Sequence, residues 1–309
     1  MDKKERVSTF ESTLKSNDTE EWIDLIFYRP IGYLWALFFH KLGITPNTIT
    51  ILSIFLGVGA GVLFYPQDLL LNGIGMLLLV WANMYDSADG QLARMTGQKS
   101  DLGRILDGVS GDLWFISIYV SLCLRLTPDW GWWIWLLAAV AGLSHTKQAS
   151  LADYYRNIHL FFIKGREGSE LDNSKKEKES YDEMKWSDGF LKKLFLWFYI
   201  RYTVSQEKAT PAFQRFFSCL REQGLNTIPQ TLKTDFRKAS LPLMKYTNIL
   251  SFNTRVFVLF ISLFINLPWI YFVFELTLLN LLLIYMVYRH EKFSRQFYEE
   301  LVTQNQYEK

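Results

Sequence analysis

Long uncharged apolar runs are the feature that most constrains how this chain can fold. A helix needs about 20 largely apolar residues to cross a hydrocarbon core of about 30 Å. Half of the 309 residues are hydrophobic, and the charged residues are concentrated between the apolar runs. A soluble protein could bury a few such runs as core helices, but hardly all of these. The sequence therefore predicts an all-α, polytopic membrane protein with six spans, at 49–65, 69–84, 105–124, 130–143, 256–267 and 269–288.

Basic residues predict the orientation of these spans, because Lys and Arg are enriched in cytoplasmic loops. Arg125 is the main basic residue on one side. Both termini are therefore expected in the cytoplasm of a multi-pass protein, most plausibly in the cell (inner) membrane. The net charge of +2 argues against nucleic-acid binding. The basic residues of the predicted cytoplasmic side are Arg29, Lys41, Arg94, Lys99, Arg104, Lys147, Arg156 and Arg289.

The predicted spans divide the chain into five segments. Residues 1–45 form a cytoplasmic segment with amphipathic helices at the membrane interface, and 46–163 contain the first four spans. Residues 164–245 form a cytoplasmic or interfacial insertion with a charged loop and helices near 190–202 and 211–221. Residues 246–290 hold the last two spans, and 291–309 form a cytoplasmic tail.

Three aspartates form a candidate metal site. Asp86 and Asp89 are three residues apart on one predicted helix and so share a face. Asp107 begins the next helix and can reach the same face across a short turn. Charges within a membrane span cost several kcal/mol unless they are compensated. A divalent cation would compensate them, and oxygen-only ligands favour Mg²⁺ or Mn²⁺.

Small and basic residues between these aspartates suit a phosphate ligand. Gly90 and Gly103 would let a nucleotide or pyrophosphate approach the backbone closely. Arg94 adds positive charge where phosphate groups would lie.

The whole pattern from Asp86 to Asp107 resembles the signature of the CDP-alcohol phosphotransferase (CDP-alcohol phosphatidyltransferase) family, D-x2-D-G-x2-A-R-x8-G-x3-D-x3-D. Every position up to the third Asp matches in residue and spacing. Pro46-Asn47-Thr48, just before the first span, also resembles the corresponding family segment. The likeness covers the chain except for 164–245, which is unusually long for the family.

The resemblance implies a membrane enzyme that moves a substituted phosphate from a CDP-linked lipid donor, often CDP-diacylglycerol, to an alcohol acceptor and releases CMP. It implies a six-helix bundle, commonly homodimeric, with a polar cavity open to the cytoplasm. Carried over by position, the metal ligands are Asp86, Asp89 and Asp107, and the nucleotide-binding residues are Thr48, Gly90, Ala93, Arg94 and Gly103.

The chain departs from the signature at its last position. The family's fourth Asp, which is assigned both metal contact and deprotonation of the acceptor, would be residue 111, but the chain has Gly111 followed by Asp112. In a regular helix Asp112 would lie about 140° from Asp107, and position 111 only about 40° away. A one-residue bulge at 108–111 could turn Asp112 inward as a catalytic partner of Asp107. Another group, such as His145, could act as base, or transferase activity could be lost.

A second polar cluster follows the predicted fourth span. His145, Gln148 and Arg156 lie at spacings that could face inward, and Arg255 begins the predicted fifth span. Either arginine could simply anchor the cytoplasmic side. Two arginines converging on a cavity would instead indicate an acceptor that carries phosphate, and in the family basic residues of the later helices serve this purpose.

The favoured function is thus phospholipid or sphingolipid headgroup synthesis, with an inositol or inositol phosphate acceptor, glycerol phosphate second, and a lipid alcohol such as ceramide still open. The alternative is a catalytically inactive relative or a polytopic transporter or binding protein.

Overall fold

The computed structural model describes residues 10, 16, 18–98, 101–165, 169, 171, 173–185, 189–224 and 228–307. Lys99 of the predicted cytoplasmic set lies outside these residues, as do parts of the loop predicted within the insertion. The chain divides into two compact units. One comprises Met1–Leu143 and Arg255–Phe274, and the other comprises Ser144–Thr254 and Glu275–Lys309.

The described residues are mostly helical and include no strand, which confirms the all-α prediction. A π-helical turn, Asp24–Tyr28, leads into the first α-helix. The helices are α1 Arg29–Lys41, α2 Pro46–Leu63, α3 Leu69–Thr96, α4 Asp101–Trp130, α5 Trp133–Lys164, α6 Ser174–Glu183, α7 Phe190–Ala209, α8 Pro211–Gln223, α9 Gln230–Ile249, α10 Phe252–Phe264, α11 Trp269–Leu276 and α12 Leu278–Tyr307.

Five helical stretches of the described chain are long and apolar enough to cross a membrane, as an integral membrane protein requires. The span predicted at 130–143 is not one of them, because α5 is apolar only in its first part and charged from Lys147 onward. The stretch predicted at 256–267 begins earlier than expected, within the predicted insertion. The five are Pro46–Leu63, Leu69–Thr96, Leu106–Trp130, Gln230–Phe264 and Trp269–Thr303.

Local sequence explains where the first spans begin and end. Thr45 caps α2 by accepting a hydrogen bond from the Thr48 backbone N–H at 3.4 Å. Asp68 caps α3 in the same way, with Leu71 N–H donating at 2.8 Å. Helix α3 ends at Gly97, whose φ of 68° is in the left-handed region that glycine tolerates best.

Arg125, the basic residue predicted on the far side of the membrane, ties the ends of several helices together. Its side chain is buried on α4. It donates to the backbone oxygen of Phe64 at 3.0 Å and to the side-chain oxygens of Asn72 at 2.8 Å and Asn266 at 2.6 Å. These acceptors belong to the C-terminus of α2, the start of α3 and the turn before α11. The charge is thus satisfied within the first unit.

The N-terminal helix α1 packs on α3. Ala36 and Phe39 of α1 share a buried cluster with Ala88 and Leu92 of α3. The Gln91 side chain donates to the backbone oxygen of Arg29 at 3.1 Å. The opposite side of this segment exposes apolar residues, including Trp22, Ile26, Leu34 and Phe38, as an interfacial helix does.

The predicted insertion contributes to a packed aromatic core in the second unit. Phe213 and Phe216 of α8 and Phe236 of α9 are fully buried. The Phe236 ring stacks on Phe162 of α5, with ring centroids 3.7 Å apart, and it meets Phe293 of α12 edge-on. Helix α8, predicted near 211–221, thus contributes to a core, together with α9, which the sequence analysis did not predict.

Glycines allow α2 and α4 to approach closely. A Cβ atom placed on Gly57 would lie 2.2 Å from Cδ1 of Trp114, and one on Gly61 would lie 2.4 Å from Oγ of Ser117. Gly59, on another face of α2, has no atom within 4 Å of such a Cβ. The contact between the helices therefore depends on particular glycines and not on their number.

We expect Gly57→Ala to destabilise the protein by about 1–3 kcal/mol, because the new methyl group overlaps the rigid indole of Trp114. Gly59→Ala is the matched control in the same helix and should leave stability unchanged or slightly higher. Thermal unfolding of both variants in the same detergent measures the difference. Equal melting temperatures would show that α2 and α4 do not pack at Gly57.

Candidate metal and phosphate site

The three signature aspartates come together at one place in the first unit. Asp86 and Asp89 lie on α3 and Asp107 lies near the start of α4. One carboxylate oxygen from each lies within 4.8 Å of the other two. Asp89 is buried, Asp86 is half-buried and Asp107 is exposed. The site is therefore anchored in the protein on one side and open on the other.

Hydroxyl groups hold two of these carboxylates in place. Thr50 of α2 donates to Oδ2 of Asp89 at 2.5 Å. Ser110 of α4 lies 3.3 Å from Oδ1 of Asp86 and donates to the backbone oxygen of Asp107 at 2.8 Å. The Thr50 hydroxyl links α2 to α3, and the Ser110 hydroxyl links α4 to α3. Three spans thus fix the positions of the carboxylates.

The arrangement suits a divalent cation. Like charges at such distances repel strongly where the dielectric constant is low, and each carboxylate within a span is costly without compensation. A bound divalent ion removes both costs. All the donor atoms are carboxylate oxygens, which hard ions such as Mg²⁺ and Mn²⁺ prefer.

Arg94 supplies unused hydrogen-bond donors on the same helix. Its Nε and Nη2 atoms are buried and have no hydrogen-bond partner among the described residues. The guanidinium lies over Gly90, where a Cβ atom would be 3.5 Å from Nη1. Buried N–H groups of a cation without acceptors are expensive, so an anionic ligand with several oxygens would suit this position.

The other predicted nucleotide contacts are less distinctive. Thr48 is exposed, and its hydroxyl lies 3.0 Å from that of Thr45 as part of the α2 cap. Ala93 and Gly103 are partly exposed. Nothing in the structure tests whether these three residues contact a nucleotide, and their roles stay predictions.

The predicted bulge before Asp112 is not formed. Helix α4 is α-helical without interruption from Asp101 to Trp130. Asp112 is exposed and lies outside the group of three carboxylates. The bulge explanation is therefore wrong. A Cβ atom on Gly111 would meet nothing within 4 Å, so the position of the missing aspartate is open space.

Two of the predicted acceptor residues belong to a buried polar network in the second unit. His145 Nδ1 lies 3.6 Å from Oε1 of Glu275, whose side chain is fully buried. Gln148 donates to the backbone oxygen of Glu275 at 3.0 Å and to Oδ1 of Asn280 at 2.8 Å. Asn280 donates in turn to Oγ of Ser144 at 3.2 Å. Gln148 is thus occupied by protein partners.

Sequence reasoning missed Glu275. It is the one acidic residue in the predicted span 269–288, and that alone is a signal, since ionisable residues inside spans mark functional or paired sites. Its partner His145 lies far away in sequence, so the pairing itself could not be predicted.

The two predicted acceptor arginines have different surroundings. Arg156 donates from Nη2 to Oγ of Ser251 at 2.9 Å and to Oδ1 of Asn248 at 3.3 Å, both of them neutral acceptors. Its buried Nε has no partner among the described residues. Arg255 is almost fully buried on α10. The two residues belong to different units, and their convergence stays a prediction.

Comparison with known proteins agrees with the signature. Residues 43–157 match the family described as CDP-alcohol phosphatidyltransferase. An archaetidylinositol phosphate synthase of Pyrococcus horikoshii is 39% identical over 90 residues, which are 29% of this chain and 46% of that protein. A bifunctional IPC transferase and DIPP synthase of Aquifex aeolicus is 31% identical over 98 residues, 32% of this chain and 22% of that protein. A putative cardiolipin synthase of Mycobacterium tuberculosis is 33% identical over 75 residues, 24% of this chain and 36% of that protein.

These matches cover less than half the length of each relative. No solved structure matches the chain significantly. The matched region contains all three aspartates and Arg94, whereas helices α6 to α12 lie outside it. Residues 43–157 thus match the CDP-alcohol phosphatidyltransferase family, as the signature predicted.

Proposed function

We propose that this protein transfers a substituted phosphate group from a CDP-linked lipid, of the CDP-diacylglycerol class, to an alcohol acceptor and releases CMP. The observation that carries the proposal is the meeting of three carboxylates within 4.8 Å. The unpartnered donors of Arg94 on the same helix support it. Binding of a metal and a pyrophosphate would explain both features together.

Asp86, Asp89 and Asp107 would hold Mg²⁺ or Mn²⁺, which would neutralise charge on the donor's pyrophosphate when bound. The side chain of Thr50 keeps Asp89 in position, as Ser110 does for Asp86. Arg94 would donate its free N–H groups to phosphate oxygens of the donor.

The reaction would be an in-line displacement. The acceptor hydroxyl attacks the donor's β-phosphorus, the bond from that phosphorus to the bridging oxygen breaks, and CMP leaves with that oxygen. Asp107, the exposed member of the group, is our proposed base for the hydroxyl proton. Asp112 is the weaker candidate, since about 140° of helix separates it from Asp107.

An inositol or inositol phosphate acceptor is the favoured substrate class. The name of the Pyrococcus horikoshii relative supports it. Arg156 supports a phosphorylated acceptor, because its buried Nε has no hydrogen-bond partner among the described residues and could donate to a phosphate oxygen. His145 and Arg255 would contribute to the same recognition, and Gln148 would act by fixing the backbone at Glu275.

We further propose that the site opens to the cytoplasm of a cell (inner) membrane protein, as the distribution of basic residues indicates. A homodimer is implied by the family resemblance alone. One observation favours the alternative of an inactive relative: position 111 carries glycine, and Asp112 is not with the other carboxylates.

Purified protein with CDP-diacylglycerol and Mg²⁺ or Mn²⁺ should release CMP in the presence of one acceptor. Inositol, inositol phosphate, glycerol phosphate, serine and a ceramide would be offered separately. Asp89→Asn should lower the rate at least about a hundredfold, because it removes stabilisation of charge in the transition state. Chelation of the metal should do the same, and re-addition should restore the rate.

Asp68→Asn is a control for this test, since Asp68 caps α3 at its other end. It should retain nearly full turnover. No CMP with any acceptor, although the protein binds the CDP-linked donor, would contradict the transferase proposal and favour an inactive relative.

Asp107→Asn should abolish turnover, whereas Asp112→Asn should change it less than about threefold, because only Asp107 lies with the metal ligands. Gly111→Asp should fold normally, since its side chain would enter open space. Rates of CMP release for the three variants test the assignment. A large loss in Asp112→Asn, with normal stability, would make Asp112 the base instead.

Arg156→Ala should raise the KM for a phosphorylated acceptor about 10- to 100-fold while leaving the KM for the donor unchanged, because a charge-assisted hydrogen bond is lost. Arg289→Ala is the matched control, since Arg289 is exposed and donates to the hydroxyl of Tyr285. An unchanged acceptor KM in Arg156→Ala would remove Arg156 from the acceptor site.

A further inference from the structure

A cavity in the second unit has no role in the proposed transfer reaction. It lies between α5 and α7, is open to solvent and has a volume of about 690 Å³. Three basic side chains line it: Lys147, which is partly buried, and Arg201 and Lys208, which are exposed. No acidic residue lines it in the part of the chain that the structure describes. Apart from Lys147, all its lining residues belong to α7, which lies outside the matched family region.

The three cations keep their charge available to a ligand. Among the described residues, Lys147 donates to Ser205 alone, to its backbone oxygen at 3.0 Å and its hydroxyl at 2.8 Å, and both acceptors are neutral. The Arg201 guanidinium lies over the ring of Trp197, with its carbon 4.1 Å from the ring centroid. Such stacking leaves the N–H edge of a guanidinium free to donate.

Nearby acidic groups do not neutralise this charge. Glu207, next to Lys208 in sequence, accepts hydrogen bonds from the backbone N–H and the hydroxyl of Ser174 at 3.0 and 2.5 Å. No ion pair joins Lys147, Arg201 or Lys208 to a carboxylate within the described residues. Burial lowers the pKa of the Lys147 ammonium, as expected for a cation that has lost water without gaining an anion.

A phosphate group matches this cavity in charge and in hydrogen bonding. Three clustered cations repel one another and attract an anion. Lysine and arginine together bind phosphate oxygens through charge-assisted hydrogen bonds. We propose that the cavity between α5 and α7 binds a phosphate group, either of an anionic phospholipid or of a soluble phosphate compound.

The surroundings favour the lipid as the source of this phosphate. Ile200 and Val204 line the cavity beside the cations and suit the apolar part of a lipid. Helix α7 also exposes Phe190 and Phe198, which are 60% and 56% accessible. A helix that combines basic and exposed aromatic residues is typical of a membrane interface.

The test measures binding by the full-length protein in detergent, with native mass spectrometry counting bound phosphatidylglycerol or, as a zwitterionic comparison, phosphatidylcholine. Arg201→Ala/Lys208→Ala should weaken phosphatidylglycerol binding about tenfold or more, as loss of charge-assisted hydrogen bonds predicts. Lys238→Ala/Lys245→Ala removes the same charge from exposed positions of α9 and should bind as the unaltered protein does.

Ser205→Asp provides a second variant that keeps every cation. Its carboxylate would lie beside Lys147 and compete with a bound phosphate, so it should also weaken binding. Melting temperatures of all variants establish that they fold. Asp89→Ala should bind phosphatidylglycerol normally, which separates this cavity from the proposed transfer site.

Inorganic phosphate and inositol phosphate form the other arm of the experiment. If they bind with the same dependence on Arg201 and Lys208 while phosphatidylglycerol does not, the phosphate comes from a soluble compound and the proposal holds in that form. If the cavity variants and the α9 control bind every one of these probes equally, the proposal is overturned.

Discussion

Mutual repulsion among three carboxylates is the constraint on which the first unit depends. Asp86, Asp89 and Asp107 would separate if they were free to do so, since like charges within a few ångströms repel strongly away from water. They are held within 4.8 Å of one another because the helices that carry them are held. The hydroxyl of Thr50 adds a direct bond to Asp89 from a third helix. Folding energy from elsewhere in the unit is thus used to keep a charged site assembled.

That energy comes from close packing along the same helices. Gly57 lets α2 lie against Trp114 of α4. At the other end of these spans, Arg125 joins the end of α2 to the start of α3. In a membrane, where lipid competes equally for apolar side chains, small residues and buried hydrogen bonds supply much of the specificity of helix packing. The carboxylates therefore lie at one end of a set of spans that is fixed along its length and at its opposite end.

The sequence predicted local features of this protein well and long-range ones poorly. Asp86, Asp89 and Asp107 could be placed together because fixed spacing on two consecutive helices determines their faces. The span predicted at 130–143 is not among the five long apolar stretches, because the polar continuation of α5 that begins at Ser144 lowers its mean hydropathy. The bulge before Asp112 was inferred from the family signature, which places a fourth aspartate on the shared face. The backbone of α4 is instead a regular α-helix through this stretch. Glu275 and His145 could not be paired in advance, since no periodicity links residues so far apart.

Each clustered or buried charge in the two units can be judged by what compensates it. Arg125 has three oxygen acceptors from the protein, so its charge is structural. The buried Glu275 has His145 Nδ1 3.6 Å from its Oε1, and a protonated imidazole there would offset its charge. The carboxylates of the first unit instead face one another, and Arg94 keeps buried donors without acceptors. Burying charge without an opposite charge nearby is costly, and a ligand that brings both a cation and phosphate oxygens would lower that cost. The basic cavity on α7 differs, because Arg201 and Lys208 are exposed and only Lys147 is partly buried.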